Sequence, residues 1–339
     1  MVRKTGGLEP RGYRPIDVRW ETSWPWVMVG DAMGVDITFP GTPCWNRRDM
    51  KNIKIAVLLG ERSNPFWTEM KHYYDLLGPL KGFEIECFWP FEEMDEYAQL
   101  RRLNEILKLD FDVVVINPMS DQNLTEGIFK AVEKGVRVID VGEKTHQASV
   151  EKARPFYVPL KTVDFYQQGV LGATYIMQHL QELGPMEIAL IEGRKEALQS
   201  IKRSQGAADT FHQNPSVSLV RRRMANFDRR LAQNLAKKWI EEIPSIKAFF
   251  CVNDTMALGV VDVLRPFHGP DEIIIVGVDL IPESVEAIRK GLLNASVAFS
   301  TRSVAQLVLE TVERWIRGEE IPNPLRSKAD WSIKGGCTP

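Results

Sequence analysis

From Ile53 onward, short apolar runs alternate with stretches whose apolar positions recur every three or four residues. The pattern predicts strands over Ile53–Leu59, Phe83–Phe88, Asp112–Ile116 and Val136–Val141. Between them it predicts helices over Asn64–Leu80, Glu96–Leu109 and Asp121–Lys134. The alternation restarts with a long helix over Asp164–Leu183. Strands then fall at Glu187–Ile191, Ser216–Arg222, Ala248–Val252, Glu272–Val278 and Ala295–Ala298. Helices fall at Gln199–His212, Asp228–Ile243, Thr255–Arg265, Pro282–Lys290 and Val304–Arg317. Uniformly apolar strands each followed by an amphipathic helix belong to parallel sheets covered on both faces.

Two such series in succession predict an α/β protein of two doubly wound parallel-sheet lobes. Residues 1–52 read differently. They hold Trp20, Trp24, Trp26 and Trp45 among closely spaced Pro and Gly, which predicts an irregular arm packed through its aromatics. The five prolines Pro10, Pro15, Pro25, Pro40 and Pro43 leave no room there for a DNA-binding helix-turn-helix.

Composition narrows the function classes. The chain has 339 residues, 44% of them hydrophobic, and 43 Lys+Arg against 45 Asp+Glu give a net charge of -2. That balance argues against a general nucleic-acid binder, which needs a basic excess, and against disorder. No apolar run approaches the ~18 residues of a membrane span. Arg3 and Lys4 are followed by no apolar stretch, which leaves open a cytoplasmic protein or the mature form of an exported one. Cys87 and Cys251 sit in strand-like runs and read as core residues, whereas Cys44 and Cys337 could pair in an oxidising compartment. The five histidines have no metal-ligand spacing, and no cofactor or phosphate-loop motif occurs. The run Arg221-Arg222-Arg223 reads as a solvated face.

In doubly wound sheets the ligand lies outside the carboxyl ends of the strands, so the loops there carry the chemistry. Ser63-Asn64-Pro65-Phe66-Trp67 is a good helix start, with Asn64 as cap and Pro65 in the first turn. Two adjacent aromatics in one turn cannot both face the sheet, so one is expected to line the crevice. Asn253-Asp254 follows a buried strand and is read either as a cap or as a ligand-bonding pair. Asp279 is either the cap of the next helix or a fixed carboxylate for a ligand. Phe227 is either a hydrophobic staple or a second stacking face.

With Ile116-Asn117-Pro118, Asn253-Asp254-Thr255-Met256-Ala257-Leu258-Gly259, Val276-Gly277-Val278-Asp279 and Glu286-Ala287-Ile288-Arg289-Lys290-Gly291, the chain resembles the ribose-binding group of type I periplasmic binding proteins over roughly 53–335. The resemblance implies two lobes joined by a three-segment hinge. The N-terminal lobe would comprise 53–163 plus 300–326, and the C-terminal lobe 164–299 plus 327–339, with crossings near Val163–Asp164, Phe299–Ser300 and Leu325–Ser327. It implies a sugar site formed by Asn64, Phe66, Trp67, Phe227, Asn253 and Asp279, to which the same frame adds Glu143, Asp164 and Phe299.

It further implies a monomeric, non-enzymatic periplasmic protein without cofactor or nucleic-acid partner. Such a protein delivers a small sugar or sugar-like ligand to the permease of an ABC transporter, or presents it to a membrane sensor kinase, as in the autoinducer-2-binding branch. An enzyme on the same fold would need Glu61, Arg62, Glu143 and Asp279 to converge. Three departures predict a less polar site: Gly142-Glu143 stands where relatives carry Asp-Arg, Ile201 where they carry Arg (with Arg203 two positions on), and Phe299 where they carry Gln.

Overall fold

The computed structural model describes residues 53–319 except Met94, Pro155, 181–184 and Phe299, together with Ile321 and the backbone of 332–335. The aromatic-rich arm, Cys44, Cys337 and the third expected crossing lie outside the described residues.

The first series is β1 (Lys54–Leu58), α1 (Pro65–Leu80), β2 (Glu84–Phe88), α2 (Glu96–Ile106), β3 (Val113–Ile116), α3 (Thr125–Glu133), β4 (Arg137–Val141), a short α4 (Gln147–Val150) and β5 (Tyr157–Leu160). The second is α5 (Phe165–Leu180), β6 (Met186–Glu192), α6 (Leu198–His212), β7 (Val217–Met224), α7 (Arg229–Glu242), β8 (Ile246–Cys251), α8 (Asp254–Leu264), β9 (Ile274–Val278), α9 (Pro282–Arg289) and β10 (Ala295–Ala298). The chain then forms α10 (Thr301–Ile316) and β11 (Ser332–Gly335).

Two sheets result, β2-β1-β3-β4-β5 and β11-β10-β9-β8-β6-β7. Every pairing is parallel except β10 with β11. Apart from β11, the second sheet repeats the winding of the first. The central strands β3, β4 and β9 are buried at every position, as a sheet covered on both faces requires. Helix α1 shows how a helix covers it: Phe66, Met70, Tyr74 and Leu77 recur at helical spacing and are all buried.

The chain changes lobes at three places. It leaves β5 for α5, which packs on α6 and the second sheet. After β10 it returns, because α10 packs on α1 and Glu313 bonds Lys81 at 2.8 Å. It then goes back to pair β11 with β10.

The expected strands and helices are present with ends shifted by a few residues. Strands β5 and β11 are additions to the sequence reading. β5 has four residues and Pro159 within it, a residue that cannot donate to a ladder and is tolerated at a sheet edge, where β5 lies. Cys251 is buried and Cys87 half-buried, and both are free thiols. Arg221 and Arg222 sit on the other edge strand, β7, and pair with Glu242 and Glu192.

Candidate functional site

Strand order reverses direction of winding between β1 and β3 in one lobe and between β6 and β8 in the other. The loops at those four strand ends meet in one cavity between the lobes. Gly60, Glu61, Asn64, Phe66, Trp67 and Asn117 line it from the first lobe; Arg194, Arg203, Phe227, Asn253 and Asp279 line it from the second. This is the crevice in which open α/β sheets place ligands.

Each lobe lays one aromatic ring against a glycine just past its first strand. A methyl group on Gly60 would stand 2.4 Å from the Trp67 ring, and one on Gly193 would stand 2.3 Å from the Phe227 ring. Only glycine allows that approach. Phe66, buried, holds Trp67 edge to face at 4.9 Å. Phe227 is fixed by two left-handed residues, Asn226 at φ +54° and Phe227 itself at φ +65°. Left-handed backbone is unusual for an aromatic residue and marks a position held by its surroundings.

The polar groups do double duty. The Asn64 side chain accepts from Phe66 N at 3.1 Å and so caps α1. Asn253 caps α8 by accepting from Met256 N at 3.0 Å, while its Nδ2 is buried with no partner. Both readings of that asparagine therefore hold: the oxygen caps and the amide faces the cavity with a free donor. Asn117 ties the two inner strands by donating to Leu58 O at 3.1 Å.

Asp279 does not cap α9. Its carboxylate lies 2.9 Å from Arg203 Nη2, and both side chains are buried. Arg203 also donates to Gln168 Oε1 at 2.7 Å and to Val252 O at 2.8 Å. Burial raises the Asp279 carboxyl above its ordinary value, and Arg203 pulls against that rise. No side chain caps α9; Asp254 instead anchors its N-cap residue, accepting from Ile281 N at 3.0 Å and from the hydroxyls of Ser284 and Ser296. Asp254 is wholly buried, does not line the cavity, and is pushed up to about 7 by burial and by the charge of Asp279.

One contact spans the cavity. Glu61, just past β1, pairs with Arg194, just past β6, at 2.5 Å. The Arg194 guanidinium also lies over the Phe227 ring, 5.5 Å from its centroid. Lys144 enters the cavity from the loop after β4. Burial pulls its ammonium down to about 8, and its Nζ stands 5.0 Å from the Trp67 centroid.

Of the residues expected in the site, Asn64, Phe66, Trp67, Phe227, Asn253 and Asp279 line this single cavity. Glu143 and Asp164 are not among its lining residues. Glu143 is a left-handed turn residue, φ +52°, between the lining residues Gly142 and Lys144. The Asp164 carboxylate accepts from Gln167 N at 3.1 Å at the start of α5. Phe299 lies outside the described residues.

Three cations of the cavity, Arg194, Arg203 and Lys144, were missed. Arg203 supplies a guanidinium to the site, and Ile201 is 44% exposed, which corrects the expectation that an arginine is lost there. The helical period held the signal: Arg203 is four residues before the buried Ala207 and eight before Phe211. Lys144 and Arg194 gave no such signal in the strand-end motifs. Glu61, Arg62, Glu143 and Asp279 do not converge, since Glu61 and Asp279 are spent on arginines and neither Arg62 nor Glu143 lines the cavity. Among the described residues no cluster of His, Cys, Asp or Glu could hold a metal, and no helix is long and apolar enough to cross a membrane.

The family model of the periplasmic binding protein domain matches residues 55–320. The D-allose-binding periplasmic protein of Escherichia coli strain K12 is 30% identical over 243 residues, spanning 72% of this chain and 78% of that protein. A solved ABC transporter periplasmic solute binding protein from Actinobacillus succinogenes 130z, with bound D-allose, superposes with a TM-score of 0.74 at 21% identity, covering 83% of this chain and 96% of that one. The fructose-binding periplasmic domain of a hybrid two-component system gives 0.72 at 19% identity, covering 84% and 90%.

Proposed function

The chain belongs to the periplasmic binding protein family, and on that footing we propose that it is an exported receptor that closes two lobes over one sugar or sugar-like molecule and hands it to the permease of an ABC transporter. The observation that carries this reading is the pairing of Trp67 with Phe227, one ring from each lobe, in a cavity rimmed by Asn64, Asn253 and Asp279. Ring faces cover the C–H faces of a sugar, while amides and a carboxylate bond its hydroxyl edge. The family is one of binding proteins, and the cavity's carboxylates are engaged as ion-pair partners rather than poised as acid and base.

A ligand that binds only the folded closed form raises the melting temperature by mass action. Thermal unfolding against a panel of aldoses, ketoses and polyols is expected to single out one structural group. A panel in which every compound leaves the transition unmoved contradicts the reading. A second reading, presentation of the closed form to a sensor kinase, draws on the fold shared with the two-component domain. Deleting the gene and measuring both ligand uptake and ligand-dependent transcription separates the two.

A further inference from the structure

Lys144 is the cavity residue that a neutral sugar leaves unused. Its side chain is brought inward by two consecutive left-handed residues, Gly142 at φ +88° and Glu143 at φ +52°. There it is 7% exposed. The other two cations of the cavity are matched: Arg203 by Asp279 at 2.9 Å and Arg194 by Glu61 at 2.5 Å. The Lys144 ammonium has no ion pair or hydrogen bond among the described residues, only the Trp67 face at 5.0 Å.

The charges of Asp140 and, more weakly, Asp279 act on the Lys144 ammonium without a hydrogen bond to it, and the Asp140 oxygens are taken up by neutral donors. Asp140 accepts from Lys144 N at 3.2 Å, from Thr145 N at 2.8 Å and from the Tyr157 hydroxyl at 2.8 Å. An ammonium carries three donors, and burying it without an acceptor is strongly unfavourable. Its depressed proton affinity records that penalty. A sugar hydroxyl would accept one bond and bring no charge to the ammonium. A carboxylate would accept the bond and cancel the charge. A phosphate monoester would bring about two charges where one ammonium lacks a direct partner.

We propose that the molecule bound in this cavity is a polyhydroxylated monocarboxylic acid, a sugar acid, whose carboxylate sits on Lys144 while a hydroxyl takes the free Nδ2 of Asn253. This rests on the sugar-binding reading above and narrows it.

The test is titration calorimetry of the full chain against matched sets. Each set contains a neutral aldose, its aldonate, its uronate and its 6-phosphate, with D-allose and D-glucose as parents. The acid of at least one set is expected to bind ten-fold or more tighter than its parent. Lys144→Met should bring that acid to within about two-fold of the parent and leave the melting temperature of the unliganded protein unchanged or higher. Parents that bind as tightly as every acid, or a Lys144→Met variant that weakens parent and acid alike, overturn the proposal and leave the sugar-binding reading standing. Preference for the 6-phosphates overturns the carboxylate assignment. Absence of saturable binding across all sets overturns the sugar-acid proposal, and the sugar-binding reading falls with it when the wider melting panel is also unmoved.

Discussion

Asp279 holds a backbone angle of φ +115°, rare outside glycine, with its carboxylate on a buried arginine. A conformation of that kind costs on the order of 1–3 kcal/mol and persists where its surroundings over-determine it. From sequence, Asp279→Asn would be expected to cut affinity and spare folding. The Arg203 contact changes that expectation. Asparagine keeps an acceptor but removes the charge that compensates a buried guanidinium, and breaking such a pair costs about 3–5 kcal/mol at full effect. The variant should therefore lose stability and affinity together, in denaturant unfolding and in calorimetry respectively. Unchanged unfolding would mean that the arginine is solvated.

Asp254 gives a pH dependence of defined sign. Its folded carboxyl titrates at about 7 against an ordinary 3.8. The native state therefore holds a proton that the unfolded chain has released, and the contribution of Asp254 to stability falls as pH rises from about 4 to about 7 and is lost above that. Asp254→Asn should flatten most of that slope in melting curves at constant ionic strength. Asp279 and Glu143 are shifted the same way by burial and add to the slope. A wild-type curve that rises over this interval would show that the carboxyl is ionised in the fold.

At the scale of elements, the helix starts are where structure and binding share atoms. Asn253 caps α8 with its oxygen and offers Nδ2 to the cavity. Serine can replace the cap but not the amide donor. Asn253→Ala should lose about 1 kcal/mol of stability, whereas Asn253→Ser should lose only a fraction of that. Both should lose ligand affinity to a similar degree. If serine restored affinity along with stability, the amide would have no role beyond the cap.

These elements also mark what could be read in advance. Runs such as Val113–Ile116 and Ile274–Val278 are uniformly apolar because they are covered on both faces, so they stood out. Capped, aromatic loops such as the one at Asn64 stood out for the same local reasons. β5 did not, being four residues with a proline and one neighbour strand. Lys144 did not, because its direction is set by the left-handed turn at Gly142-Glu143, and a positive φ at Glu143 cannot be read from residue type. Arg203 lies two positions past Ile201 on a different face of α6, and its partner Asp279 is 76 residues distant in sequence.

At the scale of the whole molecule, the repeated winding places equivalent loops opposite each other, and Glu61 and Arg194 occupy matching places after β1 and β6. Their ion pair bridges the lobes, and in the closure proposed above it would form only when the lobes are drawn together. On that reading it would stabilise the closed form alone and raise its population. A protein whose binding-competent form is less populated shows an affinity reduced by that fraction. A charge-assisted hydrogen bond of this kind is worth about 1.5–3 kcal/mol, which corresponds to roughly one to two orders of magnitude in affinity.

Glu61→Arg should weaken binding by that amount and leave the scattering radius of the protein larger at a given ligand concentration. The exchanged pair, Glu61→Arg with Arg194→Glu, should recover most of the affinity and the compact radius, because the bridge is rebuilt with its charges reversed. Both residues also line the cavity, so the double-mutant cycle is the decisive quantity. Additive losses in the exchanged pair would mean that each side chain acts on the ligand separately and that the bridge does not hold the lobes shut.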